Sequence, residues 1–428
     1  MNKIFNPKKS SWTSLVKRPV YSLDSVKDVV DEIFTNVELY GDKSLIEYTK
    51  KFDNVELNNL KVSSEKINNS DNDIDKDLKE SINVAFNNIY KFHKNQVIDF
   101  NKIETTPGVL CWQEKRAIEN VGLYIPGGTA PLFSSVLMLA IPAMIAKCKN
   151  IVLCSPPDKS GELHPAILYC AKLCKVDTVI CVGGAQSIAA MSIGTDTVPK
   201  VNKIFGPGNQ FVTYAKLKSI NFNTAIDMPA GPSELLVLAD KYAIPCYIAS
   251  DLLSQAEHGP DSQVIFVSLS KSLINEVEKC INDQVKSLDR IDFINKSISN
   301  SKLVFFDDKT KAIDFINLYA PEHYIINVQD ESFFIDNIVS AGSVFIGNYT
   351  PESAGDYASG TNHTLPTNGN AKQYSGVNLD SFQKTITFQK ISKTGLLNIS
   401  KTVETMAEAE GLQAHKNAVS IRVKDLKN

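Results

Sequence analysis

Several signals that would place a protein quickly are missing here. No apolar run approaches the ~20 residues needed to span a bilayer, and the opening Met1-Asn-Lys-Ile-Phe5 lacks the apolar stretch of a secretion signal. Charge of one sign is missing too. The 45 basic residues face 48 acidic ones, so no field for nucleic acid or an anionic membrane is implied. The eight cysteines (111, 148, 154, 170, 174, 181, 246 and 280) form no Cys-x-x-Cys pair, which argues against a thiolate zinc site or a dithiol redox centre. Cys170 and Cys174 share a helix face, but such residues read more simply as small buried hydrophobes. Reduced thiols lead us to expect a cytoplasmic protein. Any bound metal would then need nitrogen and oxygen ligands. Gly-x-Gly-x-x-Gly, the phosphate-binding P-loop and His-Glu-x-x-His are all absent.

What is present is length and alternation. A chain of 428 residues can bury a large core in more than one domain. Residues 1–95 read as mainly helical: Val26, Val29, Val30, Ile33 and Phe34 follow a 3.6-residue period, as do Leu78, Ile82, Ala85, Phe86 and Ile89. His93, at the end of that second helix, reads as a surface residue, and so does His164. From Asn120 short apolar strands recur at 120–125, 151–154, 178–182, 235–238, 264–267, 303–306 and 343–346, with helical stretches between them. That pattern predicts α/β architecture with parallel sheet. The strands are too many for one small domain, so two α/β layers are expected, with ligands at the carboxyl ends of the strands.

Four glycine-rich turns punctuate the region: Pro126-Gly-Gly-Thr129, Gly183-Gly-Ala-Gln186, Gly206-Pro-Gly-Asn209 and Pro229-Ala-Gly-Pro-Ser233. Glycine lets a ligand approach the backbone, and a following helix offers free N–H groups. Each alone is an ordinary strand-to-helix turn. Together they suggest a nucleotide or substrate cleft.

Three further stretches carry chemistry. Gln255 and His258 follow the helix-like run 245–253 and are three apart, so on a helix they share a face. An amide oxygen and an imidazole there could hold a divalent metal. The plainer reading is a solvated helix end. In Tyr319-Ala-Pro-Glu-His-Tyr324 the proline excludes regular helix, so Glu322 and His323 are expected on a turn. A carboxylate beside an imidazole suits proton transfer near neutral pH. Residues 347–366 read as a polar loop in which Asp356 and His363 are candidate ligands. From about Val377 the chain reads as a tail too short for its own core. It has to dock on the body or on a partner subunit, and His415 is a surface residue or a ligand delivered by that docking.

Taken in order, the stretches 120–131, 203–209, 225–234, 250–263, 320–324, 353–366 and 409–422 resemble the histidinol dehydrogenase family along nearly the whole chain. The resemblance implies two Rossmann-like α/β domains with largely parallel sheets, a helical N-terminal region and a short C-terminal dimer-docking tail. The ranges it suggests are 1–123 for the N-terminal region, 124–233 for an inserted domain on the NAD side, 234–376 for the larger domain with the metal and catalytic residues, and 377–428 for the tail. It implies one zinc per subunit held by Gln255, His258, Asp356 and His415, the last from the partner of a homodimer. Glu322 and His323 would be the acid/base pair. Ser233, His363 and Glu410 would bind substrate beside the zinc ligands and His323, and Tyr124, Gln186 and Asn209 would bind NAD. The implied reaction is the four-electron oxidation of L-histidinol to L-histidine through L-histidinaldehyde, the last step of histidine biosynthesis. Near Asn368 the chain departs from the family, which usually has an aromatic residue there.

Two rival readings are weighed against this one. A zinc hydrolase would use Glu322 as base on metal-bound water. A non-catalytic homologue would bind amino acid or nucleotide without turnover, but the intact Glu322, His323 and four candidate ligands argue against it. A cysteine thiohemiacetal route to the acid needs an accessible thiolate, which thiols in apolar strands and helices do not offer.

Overall fold

A computed structural model describes residues 1–19, 24–98, 100–127, 131–176, 178–229 and 231–428. Gly128, Thr129 and Ala230 of the glycine-rich turns lie outside the described residues. The chain divides into two compact units, one of residues 1–96 and 118–382, the other of residues 97–117 and 383–428.

The first unit holds two parallel sheets. One has five strands: Thr178–Ile180, Asn150–Cys154, Asn120–Tyr124, Lys203–Phe205 and Ala225–Ile226, in that spatial order. The other has Lys302–Phe305, Gln263–Ser268, Glu234–Ala239, His323–Asn327 and Ser343–Ile346 in that order, with Asn2–Phe5 added outside Lys302–Phe305. Counted from the first strand after residue 119 in one sheet and after residue 233 in the other, both orders are 3-2-1-4-5, as in a doubly wound fold. The α/β expectation holds, and its reason is visible. Every residue of Glu234–Ala239 and Gln263–Ser268 is buried, because helices cover both faces of a parallel sheet and leave no polar side to alternate with.

The N-terminal region is helical from Lys9, but it begins with the strand Asn2–Phe5, which pairs in parallel with Lys302–Phe305. Four residues are too few to show a periodicity. The helix Lys76–Lys94 does end near His93, yet His93 is fully buried rather than on the surface. Its Nδ1 meets Gln96 Oε1 at 3.0 Å, and its Nε2 meets the Asn362 amide nitrogen at 3.3 Å. His164 is exposed, and its ring accepts from the Ala166 N–H as a helix cap.

The second unit pairs Gln383–Ile391 antiparallel with Val109–Ala117, and Ile103–Thr106 lies on the other side of Val109–Ala117. Two helices, Lys393–Ala409 and Gln413–Lys427, complete it. The end of the chain thus builds its unit with the 97–117 segment. No helix among the described residues is long and apolar enough to cross a membrane.

Candidate active site

The strand Ala225–Ile226 closes the five-stranded sheet, and Glu234 opens the first strand of the other only eight residues later. So short a link turns the carboxyl edge of the first sheet toward the amino edge of the second. A cavity of about 50 Å³ lies there, lined by Gly206, Pro207, Asp227 and Met228 from one side and Ser233, Glu322 and His363 from the other. Ligands were expected at the carboxyl ends of the strands. In the sheet that holds Glu322 and His323 the candidate site residues gather at the amino ends instead.

Glu322 and His323 were expected on a turn. His323 is in fact the first residue of the strand His323–Asn327, and Glu322 immediately precedes it. Pairing explains this: Ser343 N–H donates to the Glu322 carbonyl at 2.9 Å and continues the ladder backward to Pro321, whose carbonyl accepts from Gly342 N–H at 2.9 Å. Both side chains are buried. The Glu322 carboxylate accepts from Glu234 N–H at 2.8 Å. His323 Nδ1 faces the Glu234 carbonyl at 3.3 Å. A carbonyl only accepts, so we assign the proton to Nδ1, which leaves the lone pair on Nε2. That Nε2 is buried with no hydrogen-bond partner and lies 3.7 Å from Asp356 Oδ1.

The segment read as a polar loop contains the helix Glu352–Tyr357, which buries Glu352 and Gly355. Glu352 and Asp356 stand one turn apart on it and meet the same site. Glu352 is almost fully buried, 3.4 Å from His323 Nδ1. With its amide nitrogen turned toward Glu352, the buried Gln255 donates to that carboxylate. Gln255 lies in the last turn of Pro245–Ala256, but His258 falls two residues beyond the helix, joined to it by His258 N–H to Gln255 O at 3.3 Å. The shared helix face therefore does not form; a tight turn brings the two residues close. His363 Nδ1 meets the Asp356 carbonyl at 3.0 Å, and its Nε2 meets Ser135 Oγ at 3.2 Å.

Burial governs the electrostatics. It pushes Glu322 well above the usual carboxylate range, against the Glu234 N–H and with help from the Glu234 and Asp356 charges. Glu352 is raised well above that range for the same reason, then by Asp356, Glu322 and Asp251. Asp356 rises to about 7 by burial. Burial lowers His323 to about 3 and His363 to about 4, and the nearby His258 charge adds to both. His258 itself is open to solvent on one side, yet the protein packed round its ring and then Arg290 lower its pKa. Such a set of crowded carboxylates and neutral imidazoles favours a cation. Indeed His323, Glu352 and Asp356 offer ligand atoms within 4.8 Å of one another. The site also supplies the amide and imidazole of Gln255 and His258, so its donor set of nitrogen and oxygen suits zinc.

The three residues expected to bind NAD all sit at the carboxyl edge of the five-stranded sheet. Tyr124 ends its strand, and its hydroxyl accepts from Gly184 N–H at 3.3 Å; burial lifts its pKa to about 12. Gln186 is buried in the first turn of Gly184–Ile193. Asn209 caps Gln210–Ser219, accepting from the Phe211 and Val212 N–H groups. Tyr124 and Asn209 flank the point where strand order reverses, between Asn120–Tyr124 and Lys203–Phe205, which is where dinucleotides bind in such sheets. A buried pair of Lys216 and Asp227, 2.5 Å apart, holds the Gly206 turn through Gly206 O and N at 2.7 and 2.8 Å. Glu410 and His415 belong to the second unit. Glu410 follows Lys393–Ala409, His415 lies in the first turn of Gln413–Lys427, and both are exposed.

Sequence reasoning missed Glu352, Glu234, Arg18 and Ser135. Glu352 carried a signal, its four-residue spacing from Asp356, which was hidden by reading the segment as loop.

The family model described as histidinol dehydrogenase matches residues 16–423. The histidinol dehydrogenase of Bacteroides thetaiotaomicron is 52% identical over 427 residues, covering 100% of each chain. The chloroplastic histidinol dehydrogenase of Arabidopsis thaliana is 52% identical over 420 residues, 97% of this chain and 90% of that one. The crystal structure of histidinol dehydrogenase from Elizabethkingia anophelis superposes with a TM-score of 0.98 at 51% identity, covering 100% of this chain and 99% of that one.

Proposed function

From the premise that this chain belongs to the histidinol dehydrogenase family, an NAD-dependent oxidoreductase of histidine biosynthesis, we propose how its residues divide the work. The reaction is the four-electron oxidation of L-histidinol to L-histidine by way of L-histidinaldehyde. Gln255, His258, Asp356 and His415 of the partner subunit would hold a zinc ion, which would supply a positioning point for the substrate, and Tyr124, Gln186 and Asn209 would hold NAD, which would supply the hydride acceptor for each oxidation.

His323 acts as the base of both oxidations. Its Nε2 takes the hydroxyl proton of the alcohol, returns it to the aldehyde oxygen as water adds, and later takes a hydroxyl proton of the hydrate. Glu322 acts between them, taking a proton from the water that hydrates the aldehyde. A raised carboxyl suits that task, because a general base works best with a pKa near the operating pH. Ser233, His363 and Glu410 bind the substrate. The lone pair of His323 Nε2 carries the reading: a buried nitrogen without a hydrogen-bond partner, 3.7 Å from the Asp356 carboxylate, is a base waiting for a proton. Residues 124–233 form the NAD-side domain in this reading and 234–376 the metal-side domain. The subunits pair as a homodimer, and the eight free thiols suit the reducing cytoplasm.

The test counts NADH formed per L-histidinol consumed. Two per substrate, lost on chelation and restored by zinc, is the expected result. One per substrate, with aldehyde accumulating, would remove Glu322 from its hydration role.

A further inference from the structure

Glu322 and His323 do not hold themselves in place. Both lean on one residue, Glu234, through its main chain: the N–H donates to the Glu322 carboxylate at 2.8 Å and the carbonyl faces His323 Nδ1 at 3.3 Å. The position of Glu234 is therefore the position of the pair. The Glu234 side chain is buried, and a buried carboxylate has to be fully partnered to stay put. Its partner comes from far away in sequence. Arg18 donates from Nε to one Glu234 oxygen at 3.0 Å and from a terminal nitrogen to the other at 2.7 Å, a planar two-point grip. Asn368 N–H meets the same carboxylate at 2.5 Å.

Arg18 also reaches the helix end that leads into the other strand. Its guanidinium donates to the Tyr319 carbonyl at 2.6 Å and to the Ala320 carbonyl at 3.3 Å, and it lies 3.8 Å over the Tyr319 ring. These carbonyls end the helix Lys309–Tyr319 just before Pro321-Glu322-His323. Ala320 there has φ of +53°, a left-handed conformation that a non-glycine residue keeps only when its surroundings enforce it. One guanidinium thus ties the strand that anchors the pair to the helix end that delivers it.

We propose that Arg18 is the positioning residue of the catalytic pair. It sets the register between Glu234 and the 319–323 segment, and so the aim of the Glu322 carboxylate and the His323 imidazole. This rests on the acid/base assignment made above. Arg18 touches neither substrate nor cofactor; it acts through Glu234 and the Tyr319–Ala320 carbonyls.

The test compares Arg18→Lys and Arg18→Met in the full-length, zinc-loaded protein. Turnover per active site should fall on the order of 10²-fold in Arg18→Met, the size expected when reacting groups shift by about an ångström. KM for NAD should stay within about twofold, since the NAD residues lie on the other sheet. Arg18→Lys should recover only part of the loss, because lysine keeps the charge without the fork. In a Glu322→Gln background the same Arg18 substitutions should cost several-fold less than in the parent, because groups acting as a unit are not additive. A folded Arg18→Lys variant with parental turnover per active site overturns the proposal. So does a loss confined to the fraction of folded sites, or one that is undiminished in the Glu322→Gln background. Should Arg18→Met fail to fold, Arg18→Lys alone decides by the same readouts. Failure of the acid/base reading is separate: Glu322→Gln would then itself turn over at the parental rate.

Discussion

At the scale of single residues, burial sets what each group can do. His93 shows this outside the site. It reads as a surface residue in sequence, yet it is enclosed between Gln96 and Asn362, and burial lowers its pKa. The folded protein holds it neutral, while the unfolded chain takes up a proton below the ordinary value of about 6.5. The group's contribution is fully present above about 6.5 and is lost as pH falls from there toward the depressed folded value. Its share of the slope is at most about 1.4 kcal/mol per pH unit. Denaturant unfolding at pH 7.5 and 5.5 checks this: the parent should lose more stability than His93→Gln over that interval. An equal loss in both would show that His93 titrates alike in the folded and unfolded states. The same residue illustrates why histidine roles are hard to read from sequence. Nothing local separates His93 from His164, and only packing buries one and exposes the other.

At the scale of elements, strand pairing aims the chemistry. Gly342 lies against the Glu322 carbonyl, where an added Cβ would come within 2.5 Å. The pairing of Gly342 and Ser343 with Pro321 and Glu322 has no room for a side chain at that point. We expect Gly342→Ala to push Glu322 out of line and to lower turnover by about 10- to 100-fold, with KM for NAD unchanged. Steady-state kinetics with each substrate varied in turn decides it, and parental turnover would mean that the ladder yields without moving Glu322. Elements were legible in sequence where they were long and apolar, as in the strand Glu234–Ala239 and the helix Phe133–Ala146. The edge strand Asn2–Phe5 was not, and the short helix Glu352–Tyr357 was hidden by the glycines, serines and asparagines around it. Six residues make too few turns for a period to declare itself, so the sequence points to Asp356 but not to Glu352 one turn before it.

At the scale of the whole molecule, the proposed zinc ligand His415 and the proposed base His323 belong to different compact units. If the site is completed by a second subunit, chains of His415→Ala and His323→Ala, each inactive alone, should regain activity when mixed and refolded together. A statistical mixture yields half heterodimers, and each of these has one intact site. Heterodimers that form without activity would put His415 in the site of its own chain. The sequence by itself determined the family and the α/β class, and it supplied the residues proposed to carry the chemistry, because ordered motifs such as 320–324 and 409–422 are written locally in residue types. It also determined most strands and helices, since apolar periodicity follows from which faces need burial. Only the tertiary structure decided which edge of each sheet holds the site, since that depends on a short link between two sheets rather than on any motif. Only the tertiary structure showed that Arg18, more than two hundred residues before Glu234, grips its carboxylate. Contacts of that kind arise where the folded chain crosses itself, and no local pattern of residues records them.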